Sequence, residues 1–205
     1  MCCRAAFCGL AMVLVAAPAA RGTTETTVRP PMPSSSAPAI DPLPLRVTYR
    51  FADALDTPRV HRVGSTGNPT AIHSFELGAA SRATFERLVQ ALFAEAVPAF
   101  TAPDTADTIV VVLTTAHGQR MPQPAYATMG YTLTFLEPDG SVAGTWQVEG
   151  RSNRGGTLAD ETALAMRAAA TTVAFEIGNQ PAVARWLERG VPGHDAVTTA
   201  PTERG

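Results

Sequence analysis

Two arginines and two glycines stand close together in the segment Gly-Arg-Ser-Asn-Arg-Gly-Gly, immediately before a stretch with helical periodicity. Arg151 and Arg154 carry planar guanidinium groups, which bind phosphate or carboxylate in a bidentate manner. Gly155 and Gly156 permit close backbone approach, and the N–H groups at a helix N-terminus are available to an anion. The segment therefore predicts a site for a small anionic ligand. The alternative is an ordinary solvated connection that is rich in glycine.

The other residue types that commonly carry chemistry are scattered along the chain. The histidines are not at metal-ligand spacing from one another or from a cysteine, so we expect no metal site at His61, His73, His117 or His194. Ser152 does not lie in the Gly-x-Ser-x-Gly pattern of the α/β-hydrolases. No phosphate-binding or dinucleotide-binding glycine motif is present. The sequence therefore predicts a protein that is not an enzyme and that uses no cofactor.

A second candidate surface lies on residues 131–149, where two alternating stretches flank a Pro-Asp-Gly turn. The alternation predicts two antiparallel strands with one apolar face that covers a core. The opposite face carries polar, uncharged side chains at Thr132, Thr134, Thr145 and Gln147. We expect these four residues to contact a partner protein, helped by the ability of a sheet edge to accept another strand. The alternative is that they form only the solvent-facing side of the hairpin.

Strands and helices must position these two candidate sites, and hydrophobic periodicity locates them. Period-two alternation or continuous β-branched runs predict further strands at residues 45–51, 71–77 and 108–115. Three- and four-residue spacing predicts amphipathic helices at residues 81–97 and 158–178, with a short closing helix at 181–190. The order predicts an α+β fold. We expect a two-layer sandwich, with a mostly antiparallel sheet of four to five strands and two helices on one face.

Composition divides the chain into one domain with flanking segments. Residues 45–189 form the predicted α+β domain, which suits a chain of 205 residues. Residues 21–44 are rich in Pro, Thr and Ser and predict a disordered linker, and residues 190–205 predict a disordered tail. The net charge of −2 argues against a nucleic-acid partner.

The first twenty residues predict export from the cytoplasm. Their apolar run is too short to span a bilayer as a helix and ends in small residues, as in a cleaved signal peptide. The alternative is an anchor that is not cut. All cysteines lie here, at Cys2, Cys3 and Cys8, and Cys8 is poorly placed for lipid attachment because it precedes the apolar run. We therefore expect a soluble exported protein and leave membrane association open.

The layout of residues 45–188 resembles that of small periplasmic and outer-membrane lipoproteins of Gram-negative bacteria. The resemblance is carried by the helix Phe-Glu-Arg-Leu-Val-Gln-Ala-Leu-Phe and by the hairpin motifs Tyr-x-Leu-x-Phe-x-x-x-Asp-Gly and Trp-x-Val-x-Gly. This group includes the lipopolysaccharide-assembly lipoprotein and uncharacterised auxiliary lipoproteins. The missing lipid-attachment cysteine after the apolar run is a departure from it.

The resemblance implies a non-catalytic periplasmic protein. Such a protein acts as an adaptor or accessory subunit in outer-membrane assembly or transport, and its partner is an envelope protein. The alternative function follows from Arg151 and Arg154, which predict a periplasmic carrier of a small anionic ligand.

Overall fold

The structure is a computed structural model that describes residues 24–33, 40–65, 68–99, 107–119 and 125–189. The predicted signal peptide at 1–20 and the predicted tail at 190–205 lie outside the described residues. The strands are β1 (Thr24–Val28), β2 (Leu43–Phe51), β3 (Arg59–Ser65), β4 (Asn68–Phe75), β5 (Phe93–Pro98), β6 (Thr108–Gln119), β7 (Tyr126–Leu136) and β8 (Val142–Ser152). The α-helices are α1 (Gly78–Leu92), α2 (Leu158–Glu176) and α3 (Pro181–Arg189).

The larger sheet has five strands in the order β5-β2-β6-β7-β8. Strands β5, β2 and β6 run parallel to one another, whereas β6, β7 and β8 pair antiparallel. The parallel pairs are possible because β3, β4 and α1 form a long crossover between β2 and β5. The predicted α+β sandwich is confirmed. The prediction of a mostly antiparallel sheet is wrong for this sheet, because two of its four strand pairings are parallel, and side-chain periodicity does not encode strand direction.

The helices contact one face of the larger sheet. On α1, the ring of Phe85 lies 4.6 Å from that of Tyr131, measured between centroids. On α3, the ring of Trp186 meets Phe135 edge-on at 5.8 Å. Helix α2 lies against Gly150 of β8. Side chains alternate between the two faces of a strand, so Tyr131 and Phe135, which are four residues apart on β7, lie on the same face. Val148 of β8 pairs with Tyr131, and Gly150 lies two residues further along β8, so Gly150 is on that face too. The predicted placement of two helices on one face is therefore confirmed.

A smaller sheet has the order β1-β4-β3, with β1 parallel and β3 antiparallel to β4. Val28, the last residue of β1, is buried in the same core as Phe75 of β4. Strand β1 lies within the segment at 21–44 for which the sequence predicts a disordered linker. The other residues of β1 are exposed, so the strand shows no alternation of apolar and polar side chains. Main-chain pairing to β4 and the burial of one valine hold the strand in place.

The residues that follow α1 form a strand although their spacing continues a helical pattern. The helix ends at Leu92, and Phe93 has the extended conformation that begins β5. Phe93 is buried, and β5 pairs with β2 in parallel. Burial and pairing with a distant strand override the local helix propensity of the alanines and glutamate here.

No α-helix among the described residues combines the length and apolar character that crossing a membrane requires.

The turn between β7 and β8 depends on Gly140, which has a φ of +81°. Its N–H donates to the carbonyl oxygen of Glu137 at 2.9 Å. The carboxylate of Asp139 accepts from the N–H of Ser141 at 2.9 Å, and hydrogen bonding from Ser141 lowers the pKa of Asp139. The Pro-Asp-Gly turn is therefore closed by main-chain and side-chain bonds.

We expect Gly140→Ala to lower the free energy of unfolding by about 1–2 kcal/mol, because an L-residue pays this cost in the left-handed region. No heavy atom outside the adjoining residues lies within 4 Å of the added methyl group, so the cost is confined to the backbone. Urea denaturation measures the effect, and Gly140→Asn is the control because asparagine tolerates positive φ. An alanine variant as stable as the unmodified protein would contradict the expectation.

Candidate functional site

The N-terminus of α2 follows β8 after a short loop and carries a capping box. Thr157 is the N-cap, and its hydroxyl accepts from the N–H of Asp160 at 3.2 Å. The Asp160 carboxylate in turn accepts from the N–H of Thr157 at 3.2 Å. This capping box satisfies two main-chain donors that would otherwise be available to a ligand.

The loop before α2 encloses a carboxylate of the protein itself. Glu161 is fully buried and accepts from the N–H of Arg154 at 2.9 Å and from that of Gly156 at 2.8 Å. Burial alone raises the pKa of Glu161, but hydrogen bonds from the Ser152 side chain and from the amides of Gly156, Arg154 and Gly155 outweigh it and hold the pKa below its ordinary value. The amides that the sequence offers to an external anion are thus engaged by an internal one.

The two candidate arginines lie on different sides of this arrangement. Adjacent residues of a strand point to opposite faces, so Arg151 lies on the outer face while Ser152 meets Glu161 on the helix side. The Nε of Arg151 donates to Glu149 at 2.6 Å, and Arg154 is exposed in the loop. The geometry therefore gives no support to a single anion site formed jointly by Arg151, Arg154, Gly155 and Gly156, which stays a prediction.

The four polar residues proposed for partner contact do come together. Thr132 lies directly opposite Gln147, and Thr134 lies directly opposite Thr145. Thr145 and Gln147 are exposed on β8, whereas Thr132 and Thr134 are half-buried on β7. We call these four residues the outer quartet. They form a continuous polar patch on the face opposite the helices.

Strand β8 is an edge of the larger sheet, and a bulge interrupts its regular pairing near the hairpin turn. Phe135 pairs with Gly144 and Leu136 pairs with Val142, so Ala143 is an extra residue that forms a β-bulge. The carbonyl oxygen of Ala143 accepts from the guanidinium of Arg185 on α3 at 2.8 Å. The part of the edge beyond the bulge, from residue 145 onward, carries the β8 half of the outer quartet.

A depression of about 390 Å³ opens at the other end of the β7–β8 pair, and the lining residues are Tyr126, Ala127, Thr128, Arg151, Ser152 and Asn153. Of these, only Arg151 is a ligand-binding candidate from the sequence. Thr128 lies directly opposite Arg151, a relation that extending the register of the hairpin by a few residues would have revealed. Tyr126 and Asn153 carry no comparable signal in the sequence.

Two buried ionisable side chains outside this region are Tyr131 and His73, and Nδ1 of His73 has no hydrogen-bond partner among the described residues. The hydroxyl of Tyr131 lies 3.0 Å from that of Ser81. Burial raises the pKa of Tyr131 far above its ordinary value, an effect that Ser81 partly offsets. His73 is buried opposite His61, and its pKa is lowered first by burial and then by the charge of His61. The described part of the chain contains no group of three or more side chains that could hold a metal ion.

Comparison with known proteins gives remote structural similarity alone. No family model matches the sequence, and no curated protein matches it. A crystal structure of a Xanthomonas campestris protein of the DUF330 family model is similar at 14% identity, covering 80% of this chain and 99% of that one with a TM-score of 0.47. The PelC dodecamer from Paraburkholderia phytofirmans is similar at 12% identity, covering 68% of this chain and 91% of that one with a TM-score of 0.40. Both TM-scores lie below 0.5, and we infer neither fold nor function from them.

Proposed function

We propose that this protein is an exported, non-catalytic docking module of the bacterial cell envelope, which binds a partner protein along β8 and acts as an adaptor or accessory subunit. The observation that carries the proposal is the position of the outer quartet next to an edge strand of the larger sheet. The apolar N-terminal segment supports the location, since its pattern is that of a signal peptide.

The geometry of β8 favours an extended segment of the partner as the occupant. An edge strand presents unpaired N–H and C=O groups that can pair with an added strand. Helix α2 covers β8 on the helix side at Gly150. Side chains of an added strand would therefore have room on the outer face and not on the helix side. There they would meet Thr145 and Gln147, which are exposed. The bulge at Ala143 and its contact with Arg185 limit pairing at the hairpin end.

Two buried polar groups have partners within the protein, which supports a docking role for the chain over a catalytic one. The carboxylate of Glu161 is engaged by the loop amides, and the hydroxyl of Tyr131 is engaged by Ser81. Both groups hold helices to the sheet, which is a structural task. They give no reason to propose that either one reacts with a substrate.

Site-specific photocrosslinking in cells that make the protein tests the proposal. A photoreactive residue at Gln147 should give an adduct whose second component is an envelope protein. The matched control is a photoreactive residue at Thr171, which is also exposed but lies on α2. Absence of an adduct at Gln147, or the same adduct at both positions, would contradict docking through β8.

A charged pair of substitutions should remove that adduct without unfolding the protein. Thr145→Asp combined with Gln147→Asp places two charges beside the added strand, whereas exposed substitutions of this kind change stability by only about 0.5 kcal/mol. We expect crosslinking from a probe at Glu149 to fall by about tenfold, which corresponds to about 1.4 kcal/mol of binding free energy. Thr171→Asp should leave it unchanged. Equal crosslinking in the two variants would contradict a role of the outer quartet.

A further inference from the structure

The depression at the end of β7 and β8 contains a hydroxyl group that can reach a bound molecule. Thr128 is 4% exposed and lines the depression, and its hydroxyl makes no hydrogen bond with any residue in the described ranges. Because the hydroxyl has no protein partner among the described residues, it is available to a hydroxyl or carboxylate oxygen of a molecule bound in the depression. The depression therefore offers a hydrogen-bonding point to a bound molecule.

Arg151 adds a positively charged donor directly opposite Thr128. Its Nε is engaged by Glu149, whereas its terminal guanidinium nitrogens form no hydrogen bond with the described residues. Two such nitrogens match the two oxygens of a carboxylate. Glu149 is the neighbouring negative charge, so it opposes the binding of an anion at this point.

The remaining lining residues favour a ring that carries hydroxyl groups. Tyr126 is 37% exposed and offers an aromatic surface. Asn153 is exposed and has an amide that both donates and accepts. An aromatic surface packs against the C–H face of a sugar ring, while amide and hydroxyl groups bind its hydroxyls. The volume is at the lower end of the range for small-molecule pockets, which is enough for one or two sugar units.

We propose that this depression binds an acidic saccharide, with the carboxylate on Arg151, a ring hydroxyl on Thr128 and the ring face on Tyr126. Arg154, Gly155 and Gly156 take no part, because Glu161 holds the amides of this loop. The saccharide site shares no residue with the outer quartet, and saccharide binding does not depend on the docking function.

Titration of the full chain with an oligosaccharide of galacturonic acid, followed by NMR or calorimetry, tests the proposal. We expect saturable binding, and we expect the neutral methyl ester to bind about tenfold more weakly because a charge-assisted bidentate contact is lost. Acetate and inorganic phosphate separate a saccharide site from a general anion site. If either competes as well as the uronate at equal concentration, the saccharide assignment is wrong.

Variants of neighbouring residues make the test specific. Arg151→Gln should weaken binding by about tenfold or more, whereas Arg154→Gln, three residues away and also exposed, should leave it unchanged. Glu149→Gln should strengthen binding several-fold, since it removes the opposing charge and frees Nε of Arg151. Equal effects of the two arginine variants, weaker binding by Glu149→Gln, or no binding at about 10 mM uronate would each overturn the proposal.

Discussion

Gly150→Ala is expected to lower the free energy of unfolding by about 3 kcal/mol or more, at the upper end of overpacking effects. A Cβ at Gly150 would overlap with the carbonyl oxygen of Ala165 and the amide nitrogen of Ala169 on α2. Both obstructing atoms belong to the helix backbone, so no side chain can rotate away. The helix would have to move off the sheet, and its buried alanines would lose their contacts.

The matched control for this variant is Gly144→Ala on the same strand and the same face. A Cβ at Gly144 would meet the Ala182 Cβ at 3.6 Å, which is ordinary van der Waals contact. We expect that variant to change stability by less than about 1 kcal/mol. Urea denaturation monitored by tryptophan fluorescence compares the two. Equal stabilities of the Gly150 and Gly144 variants would show that α2 does not lie on β8 as described.

Glu161→Ala is expected to lower the free energy of unfolding by about 3 kcal/mol, because it removes a buried, charged acceptor and leaves its donors unpaired. The donors are the amides of Arg154 and Gly156 and the side chain of Ser152. Glu161→Gln keeps the volume and one acceptor oxygen, so its loss should be smaller. Glu176→Ala, an exposed glutamate at the end of the same helix, is the control and should cost no more than about 0.5 kcal/mol.

The contribution of Glu161 should also depend on pH. Its pKa in the folded protein is lower than the value of about 4.3 expected for an unfolded chain. The stabilisation is therefore fully present above the unfolded pKa and is lost as pH falls through the folded pKa. Denaturation curves between about pH 6 and pH 3 should show a smaller loss of stability on acidification for Glu161→Gln than for the unmodified protein. Identical pH dependence of the two would contradict this role.

The hairpin and its outer face could be predicted from the sequence because their signals are local. Alternating side chains and the Pro-Asp-Gly turn specify two antiparallel strands, and once the strands are paired, Thr132 must lie near Gln147. The start of α2 was equally accessible, since Thr157 and the acidic residues after it form a recognisable N-terminal signal. In these cases the interacting residues lie close together in the chain.

The features that the sequence did not reveal depend on distant partners. Strand β1 is specified by its pairing with β4, more than forty residues later in the chain. Strand β5 follows a helix without a break in hydrophobic spacing and becomes extended by pairing with β2. The hydrogen bonds from the loop amides to the Glu161 carboxylate could not be predicted, because a glutamate in the first turn of a helix is usually solvent-exposed. Its burial follows from the close approach of α2 to the sheet at Gly150.

Strand β8 is an open edge in the isolated protein, with α2 on one side of it and the outer quartet on the other. Residue-resolved hydrogen exchange by NMR tests this claim most directly. In an antiparallel edge strand, alternate residues direct their N–H groups toward the neighbouring strand and away from the sheet. Across residues 145–151 we therefore expect slow and fast exchange to alternate. Uniformly slow exchange would contradict the claim, because it would mean that this edge is already covered.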